Sequence, residues 1–439
     1  MKRFSQLIRH QGNTPLFDLI DISILGALQG TPVHFHVEGL RGTGKTTIIR
    51  ASKQILPKIK RIKGCIFNCD PDRPQCPEHK YLSKKEINKI GIEVIEMPFL
   101  EISPGAKKGT IAGSIDIKKL LSRQNPEAAI LLGTIPKANR GIIFVDEINR
   151  IADISPEIVD MLLDVMGTKP GRIQIEEIGF PVFDIPVQVC VWAASNPDED
   201  PGPLEDIRKQ LSDRFDFTID VERPQDVDVI KSILDFKEQS IYDEKSLEHT
   251  SSILAASDIV KGISYPEEIK DLLASLYVDF GIESLRGVEA ILLGVKLRAA
   301  FMKRNPNIDD VLVMTKYSLK HRTDTKLLNE ILKNIEQTKK EFPHNKQLFS
   351  SQSENIAVPT LPNESQNNAI NAFKDKYESP LSKLYSYLKK GFRFNFNHDN
   401  KKTTSNFQGI KVKAPCNKAI HIRELSSKEY VKTEEELNK

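Results

Sequence analysis

Apolar and polar positions alternate along this chain with two different periods, and the switches between them outline its elements. Val33-His34-Phe35-His36-Val37 alternates with period two and carries β-branched residues, which predicts a strand. Before it, Leu16, Phe17, Leu19, Ile20, Ile22, Ile24, Leu25 and Leu28 predict a helical lead-in over residues 1–32, stopped by Gly30-Thr31-Pro32. After it, residues 47–56 predict a helix that ends before Pro57. Val94-Ile95-Glu96-Met97-Pro98 is a second strand candidate, residues 103–113 read as a loop bearing Gly and Lys, and residues 115–121 start a short helix. Ile142-Ile143-Phe144-Val145 is a buried-strand run. Ser155-Pro156-Glu157 has the form of a helix start, with Ser at the cap and Pro at the first helical position, and residues 158–166 continue it to Gly167. Arg172-Ile173-Gln174-Ile175 and Phe183-Asp184-Ile185 flank Gly179 as a hairpin, and residues 187–194 form another strand. A charged helix containing Arg208 follows, then a mostly helical segment over residues 224–305 in which Arg286 stands at a helix start. The fold class expected is α/β, a parallel sheet followed by a helical lid and a C-terminal extension.

Chemistry enters between the first strand and its helix. Gly39-Leu40-Arg41-Gly42-Thr43-Gly44-Lys45-Thr46 is a P-loop, and strand and helix supply the context the motif requires. Glycines let backbone N–H groups approach phosphates without a Cβ clash. The helix N-terminus adds a positive dipole end. Gly39, Arg41, Gly42, Thr43, Gly44, Lys45, Thr46 and Thr47 are therefore the expected nucleotide contacts, with Lys45 on the β- and γ-phosphates and the Thr46 hydroxyl on Mg²⁺. About a hundred residues later the buried run ends in Asp146-Glu147. Asp146 can hold the Mg²⁺ water shell, and Glu147 can polarise the attacking water as a general base. Asn196, in Ser195-Asn196-Pro197 at a strand end, is placed to touch the γ-phosphate or that water. Arg214, in Leu211-Ser212-Asp213-Arg214-Phe215-Asp216, can stabilise transition-state charge across a subunit boundary. ATP and Mg²⁺ are the cofactors these residues imply.

Three of the five cysteines and a histidine fall within residues 65–79. Cys65, Cys69, Cys76 and His79 are spaced C-x3-C-x6-C-x2-H, and Pro71, Pro74 and Pro77 exclude a helix through them. The set suits Zn²⁺ or an iron–sulfur cluster. The alternative is a loop of reduced, uncoordinated thiols. A metal here would staple a loop.

Bulk numbers change the picture only at the edges. With 439 residues the chain exceeds one compact domain. A net charge of +3 does not point to nucleic acid, and five cysteines make no disulfide scaffold, which fits a reduced interior. No stretch reaches the ~20 apolar residues of a membrane span. Lys2 and Arg3 precede an apolar patch, but Asp18 and Asp21 interrupt it, so a helix is expected there in preference to a signal peptide, and the cytoplasm is the expected address. The expected divisions are a nucleotide-binding core over 1–222, a lid over 223–337, a polar linker over 338–379, and a small basic and aromatic module over 380–439. In that module Tyr385, Tyr387, Phe392, Phe394, Phe396 and Phe407 interleave with Lys389, Lys390, Arg393, Lys401 and Lys402, which suits nucleic acid or a β-module docked on the core.

These stretches together resemble the AAA+ ATPases, and most of all the ATPase subunit of magnesium chelatase. The resemblance rests on the P-loop, Gly113-Ser114-Ile115-Asp116-Ile117, Ala138-Asn139-Arg140-Gly141, Val145-Asp146-Glu147-Ile148-Asn149, Leu162-Leu163-Asp164-Val165, Ser195-Asn196-Pro197, Gln210-Leu211-Ser212-Asp213-Arg214-Phe215 and Leu285-Arg286-Gly287, in the family's order over roughly residues 15–335. It implies that Asn196 is sensor 1, Arg214 the arginine finger and Arg286 sensor 2. It places an inserted hairpin over 107–132 and a second over 172–186. It implies an ATP-driven ring, often a hexamer, that remodels a partner. In the chelatases that partner carries an integrin-like metal-binding domain, and the product is a metallated tetrapyrrole. Asp146-Glu147-Ile148-Asn149-Arg150 also resembles the MoxR chaperones, and related rings move nucleic acid, so both stay open at this point. Residues 65–79 and the C-terminal hundred residues depart from the chelatase pattern.

Overall fold

The computed structural model describes residues 3–115, 130–175, 182–235 and 244–341. The expected linker beyond 341 and the basic, aromatic module lie outside them.

The chain opens with α1 (Thr14–Leu28), β1 (Phe35–Glu38), α2 (Lys45–Ala51) and β2 (Lys58–Ile62). Then come α3 (Lys84–Ile90), β3 (Ile92–Glu96), β4 (Phe99–Ile102), α4 (Lys108–Ala112), β5 (Gly113–Ile115) and β6 (Ile130–Leu132). The middle of the chain holds α5 (Thr134–Lys137), β7 (Gly141–Val145), α6 (Ile148–Ile154), α7 (Pro156–Gly167), β8 (Gly171–Ile175), β9 (Phe183–Val187), β10 (Val189–Ala194), α8 (Leu204–Ser212) and β11 (Phe217–Asp220). Among the described residues six helices follow: α9 (Val227–Leu234), α10 (Glu244–Val260), α11 (Glu267–Asp279), α12 (Leu285–Phe301), α13 (Ile308–Leu319) and α14 (Thr325–Glu341).

Five strands make one parallel sheet in the order β11-β1-β10-β7-β4. Because strand side chains alternate between faces, β7 sends Ile142 and Phe144 into one core and Ile143 and Val145 into the other. The first core joins α1, α2 and α10–α14 to the sheet. Trp192 anchors it: its ring stacks on Phe35 at 5.0 Å, and its Nε1 donates to Ser23 Oγ at 2.8 Å. Gly294 of α12 lets that helix approach β11, since a Cβ there would lie 2.6 Å from Phe217 and 2.5 Å from the Met314 sulfur. The second core is built by α4–α8, the β8–β9 hairpin and the cysteine loop.

Several expectations are corrected. Residues 103–113 are not all loop, since α4 occupies Lys108–Ala112. Ile115 ends strand β5 and starts no helix; residues 116–121 lie outside the described residues. The helix after the P-loop is α-helical only to Ala51 and tightens to a 3-10 turn over Ser52–Ile55. The helix start at Ser155 is as expected, with Ser155 at the cap and Pro156 first in α7, although the Ser155 side chain makes no capping hydrogen bond. The strand expected at Val94 is present as β3, and it pairs with β2 in a separate antiparallel ribbon. Two strands of the main sheet, β4 and β11, are additions to the expected elements, although Phe217-Thr218-Ile219-Asp220-Val221 alternates.

Candidate nucleotide-binding site

The P-loop leaves the carboxyl end of β1, with β11 on one side and β10 on the other, where open parallel sheets hold ligands. Gly39 turns the chain at φ 152°, and a Cβ there would strike the Val221 carbonyl oxygen at 2.3 Å. Gly42 and Gly44 take φ of 81° and 90°, in the left-handed region that favours glycine. Gly44 then caps α2, whose N-terminus faces the loop.

A cleft is lined by Arg41, Gly42, Thr43, Gly44, Lys45, Thr46 and Thr47 from the loop, Asp146 and Glu147 from the end of β7, and Ala194, Ser195 and Asn196 from the end of β10. Lys45 Nζ donates to the Gly39 and Leu40 carbonyl oxygens at 2.5 and 2.9 Å and to Asn196 Oδ1 at 2.9 Å. Burial lowers the Lys45 pKa, and Asp146 opposes that shift. Thr46 Oγ1 donates to Asp146 Oδ1 at 3.3 Å. Burial raises the Asp146 carboxyl, and Arg50, 3.4 Å from it, pulls it back. A hydroxyl beside a carboxylate, with room for water, is a donor set suited to Mg²⁺. Glu147 sits in the left-handed region at φ 53°, ψ 48°, a conformation costly for a non-glycine residue and typical of functional sites. Arg150 holds its carboxylate at 3.2 Å.

Sequence reasoning did not assign Arg50, Asn149 or His36. Arg50 stands four residues after Thr46, hence on the same helix face, and bridges Asp146 to Glu101. Asn149 Nδ2 donates to the Asn196 and Gly202 carbonyl oxygens at 3.4 and 3.2 Å, fixing the Asn196 loop. His36 Nε2 and Ser195 Oγ share a 2.8 Å hydrogen bond under that loop. Only the i,i+4 spacing of Arg50 was a usable signal.

Arg214 and Arg286 do not line this cleft. Arg286 Nη2 donates to the Gly167 carbonyl oxygen at 3.3 Å, and Arg214 Nη1 lies 3.8 Å from the position of a Cβ on that glycine. Burial, and then the Arg286 charge, lower the Arg214 pKa. The two cations thus share one place at the end of α7. Behind them Arg322, nearly buried, donates to Asp213 Oδ1 and to the Asp213 and Phe215 carbonyl oxygens, so the segment after α13 holds the loop that bears Arg214. Two residues earlier, Lys320 bridges Glu38 and Asp220 at 2.5 and 2.6 Å, joining the same segment to the strand ends beside the P-loop.

Cys65, Cys69, Cys76 and His79 are brought together elsewhere, at the edge of the second core, with all four buried. The loop they lie on is clamped to the amino end of β7. Asn68 Nδ2 donates to the Lys137 carbonyl oxygen at 2.9 Å, Asn139 Nδ2 to the Phe67 carbonyl oxygen at 2.7 Å, and Arg140 pairs with Asp70 at 3.1 Å.

No family model matches the chain. Among curated proteins it is similar to the magnesium-chelatase 38 kDa subunit of Cereibacter sphaeroides, 30% identical over 275 residues, which are 60% of this chain and 76% of that protein. It is similar to the magnesium-chelatase subunit ChlI of Mesostigma viride, 30% identical over 304 residues, 65% of this chain and 79% of that one. A ChlI homolog of Methanocaldococcus jannaschii is 28% identical over 299 residues, 65% of this chain and 77% of that one. A solved BchI–BchD complex of magnesium chelatase aligns with 75% of this chain and 98% of its own at 24% identity and a TM-score of 0.40. With relatives of that identity spanning three quarters of their own length, and P-loop, Asp146-Glu147 and Asn196 meeting at one sheet edge, the chain belongs to the AAA+ family of magnesium-chelatase ChlI subunits.

Proposed function

We propose that the chain hydrolyses Mg·ATP as one subunit of a ring and uses the reaction to remodel a partner protein. The observation that carries this reading is the meeting of Lys45, Thr46, Asp146, Glu147 and Asn196 in one cleft, with Arg214 and Arg286 held together outside it. Within the cleft the loop N–H groups and Lys45 bind and orient the triphosphate, and Asn196 sets the position of the Lys45 ammonium. Thr46 and Asp146 are the residues that would hold Mg²⁺, which when bound neutralises charge on the phosphate oxygens. Glu147 takes a proton from the attacking water as the bond to the γ-phosphorus forms and the bond to the β–γ bridging oxygen breaks. Arg214 and Arg286 act on the nucleotide of the neighbouring subunit, and a hexamer is the ring proposed. The client is a protein with an integrin-like metal-binding domain, metal insertion into a tetrapyrrole is the outcome in view, and the cytoplasm is the setting. The relatives above are chelatase subunits, which favours this reading over the MoxR-like chaperone and over the nucleic-acid motor. No helix among the described residues is long and apolar enough to cross a membrane.

The test is ATP turnover and client capture with Glu147→Gln. Turnover should fall by about a hundredfold or more while ATP binding persists, and the trapped assembly should retain a protein client. Wild-type turnover in this variant refutes the base assignment. Recovery of salt-sensitive nucleic acid in place of protein refutes the client.

A further inference from the structure

Cys65, Cys69, Cys76 and His79 are buried, and their ligating atoms all lie within 4.8 Å of one another. Cys76 Sγ is 3.9 Å from Cys65 Sγ and 2.9 Å from His79 Nδ1. A disulfide needs about 2.05 Å between sulfurs, and any one pairing would strand a third sulfur and the imidazole in the core. The backbone N–H groups of Gln75 and Cys76 both point at Cys69 Sγ, at 3.4 and 3.2 Å. Three sulfurs and an imidazole with no carboxylate among them are the donor set of closed, tetrahedral zinc.

We propose that Cys65, Cys69, Cys76 and His79 bind one Zn²⁺ ion as a structural site that braces the amino end of β7. Iron–sulfur clusters divide their ligands among two or more irons, and the bridging sulfides spread those sets apart. Donors gathered as closely as these enclose a single ion. Four protein ligands leave no position for substrate or water, so the metal does no chemistry of its own.

Its effect follows from what the loop carries. Residues 65–79 hold little regular structure, only an isolated bridge between Asp70 and Arg73. Yet this loop presents Asn68 and the Phe67 carbonyl oxygen to Lys137 and Asn139, immediately before β7. Fixing Cys65 and Cys69 on one ion fixes the three residues between them, and with them the entry to the strand that ends in Asp146. Metal-binding energy at such a site is folding energy.

The test begins with the full-length wild-type chain, purified under reducing conditions without added metal and analysed by elemental mass spectrometry and sulfide assay. One equivalent of zinc, with neither iron nor acid-labile sulfide in stoichiometric amount, is the expected result. Iron with sulfide overturns the proposal. So does a folded chain that holds no zinc and takes none up. Replacement by Co²⁺ should give strong sulfur-to-cobalt charge-transfer absorption and tetrahedral d–d bands, whereas a weak octahedral spectrum counts against the site. In Cys69→Ser the zinc content should fall by about tenfold or more, while His79→Cys, which keeps four ligands, should retain it. Full zinc occupancy in Cys69→Ser would place the ion elsewhere. These readouts concern metal content and stand or fall apart from the ATPase reading.

Discussion

The two ends of β7 make opposite use of the same strand. Its carboxyl end opens into the cleft, where Asp146 is part-exposed and held by a hydroxyl and a guanidinium. Its amino end is shut, with Asn139 buried and both ends of its side-chain amide used, Nδ2 on the Phe67 carbonyl oxygen and Oδ1 accepting from the Gln188 N–H at 2.8 Å. Polar groups at the first end are arranged for a ligand, and those at the second for each other. Changes at the carboxyl end should therefore remove chemistry and leave the fold, and changes at the amino end should do the reverse.

The sharpest way to break this contrast is Lys45→Ala. ATP turnover should drop by about a hundredfold or more, with the thermal unfolding midpoint of the nucleotide-free chain moving little. A large loss of stability would mean that Lys45 serves the fold as much as the substrate. At the other end, Asn139→Ala removes two hydrogen bonds and leaves the Phe67 carbonyl oxygen and the Gln188 N–H unpaired, at a cost of about 1–3 kcal/mol. Denaturant titration should register that loss while turnover per folded chain stays within about twofold of wild type. Were turnover to collapse instead, the two ends would be coupled.

Acid probes the interior beneath the open end. Burial holds the His34 and His36 imidazoles down to about 3, against about 6.5 in an unfolded chain. Below about pH 6.5 the unfolded chain therefore binds more protons than the folded one. Stability from these two groups is complete above that pH and is lost as the pH falls from about 6.5 toward 3, by up to about 1.4 kcal/mol per pH unit for each. Melting curves at about pH 7.5 and 5.5 should show a clear drop in the midpoint, and replacing both histidines with Gln should flatten it. The smallest effect concerns Arg50, whose contacts to Asp146 and Glu101 are part-exposed. Arg50→Ala should cost less than about 1 kcal/mol of stability and raise the apparent Mg²⁺ requirement a few-fold, as a magnesium titration of turnover would register.

The P-loop, Asp146-Glu147 and Asn196 were legible because each depends on residue types within a few positions of one another. Glycines permit the turn, a strand end presents a carboxylate, and local rules suffice. The strands β4 and β11, at the two ends of the main sheet, went unread: Phe217-Thr218-Ile219-Asp220-Val221 does alternate, but Phe99-Leu100-Glu101-Ile102 carries no clean period and owes its conformation to neighbours far along the chain. For the same reason Arg50, Asn149 and Arg322 gave almost no signal: their roles lie in partners that are 51, 47 and 109 residues away.

Local sequence sufficed for the P-loop and the acidic strand end that meet in one cleft, for the α/β class and for the grouping of three cysteines with a histidine, because backbone freedom, side-chain alternation and ligand spacing are local properties. It took long-range packing to bring Arg214 and Arg286 together at Gly167 outside their own cleft, to give the late helices a core shared with α1, and to close the cysteine loop on the entry to β7. Those outcomes depend on which distant surfaces pack together, a matter of long-range burial and hydrogen-bond pairing that no window of sequence contains.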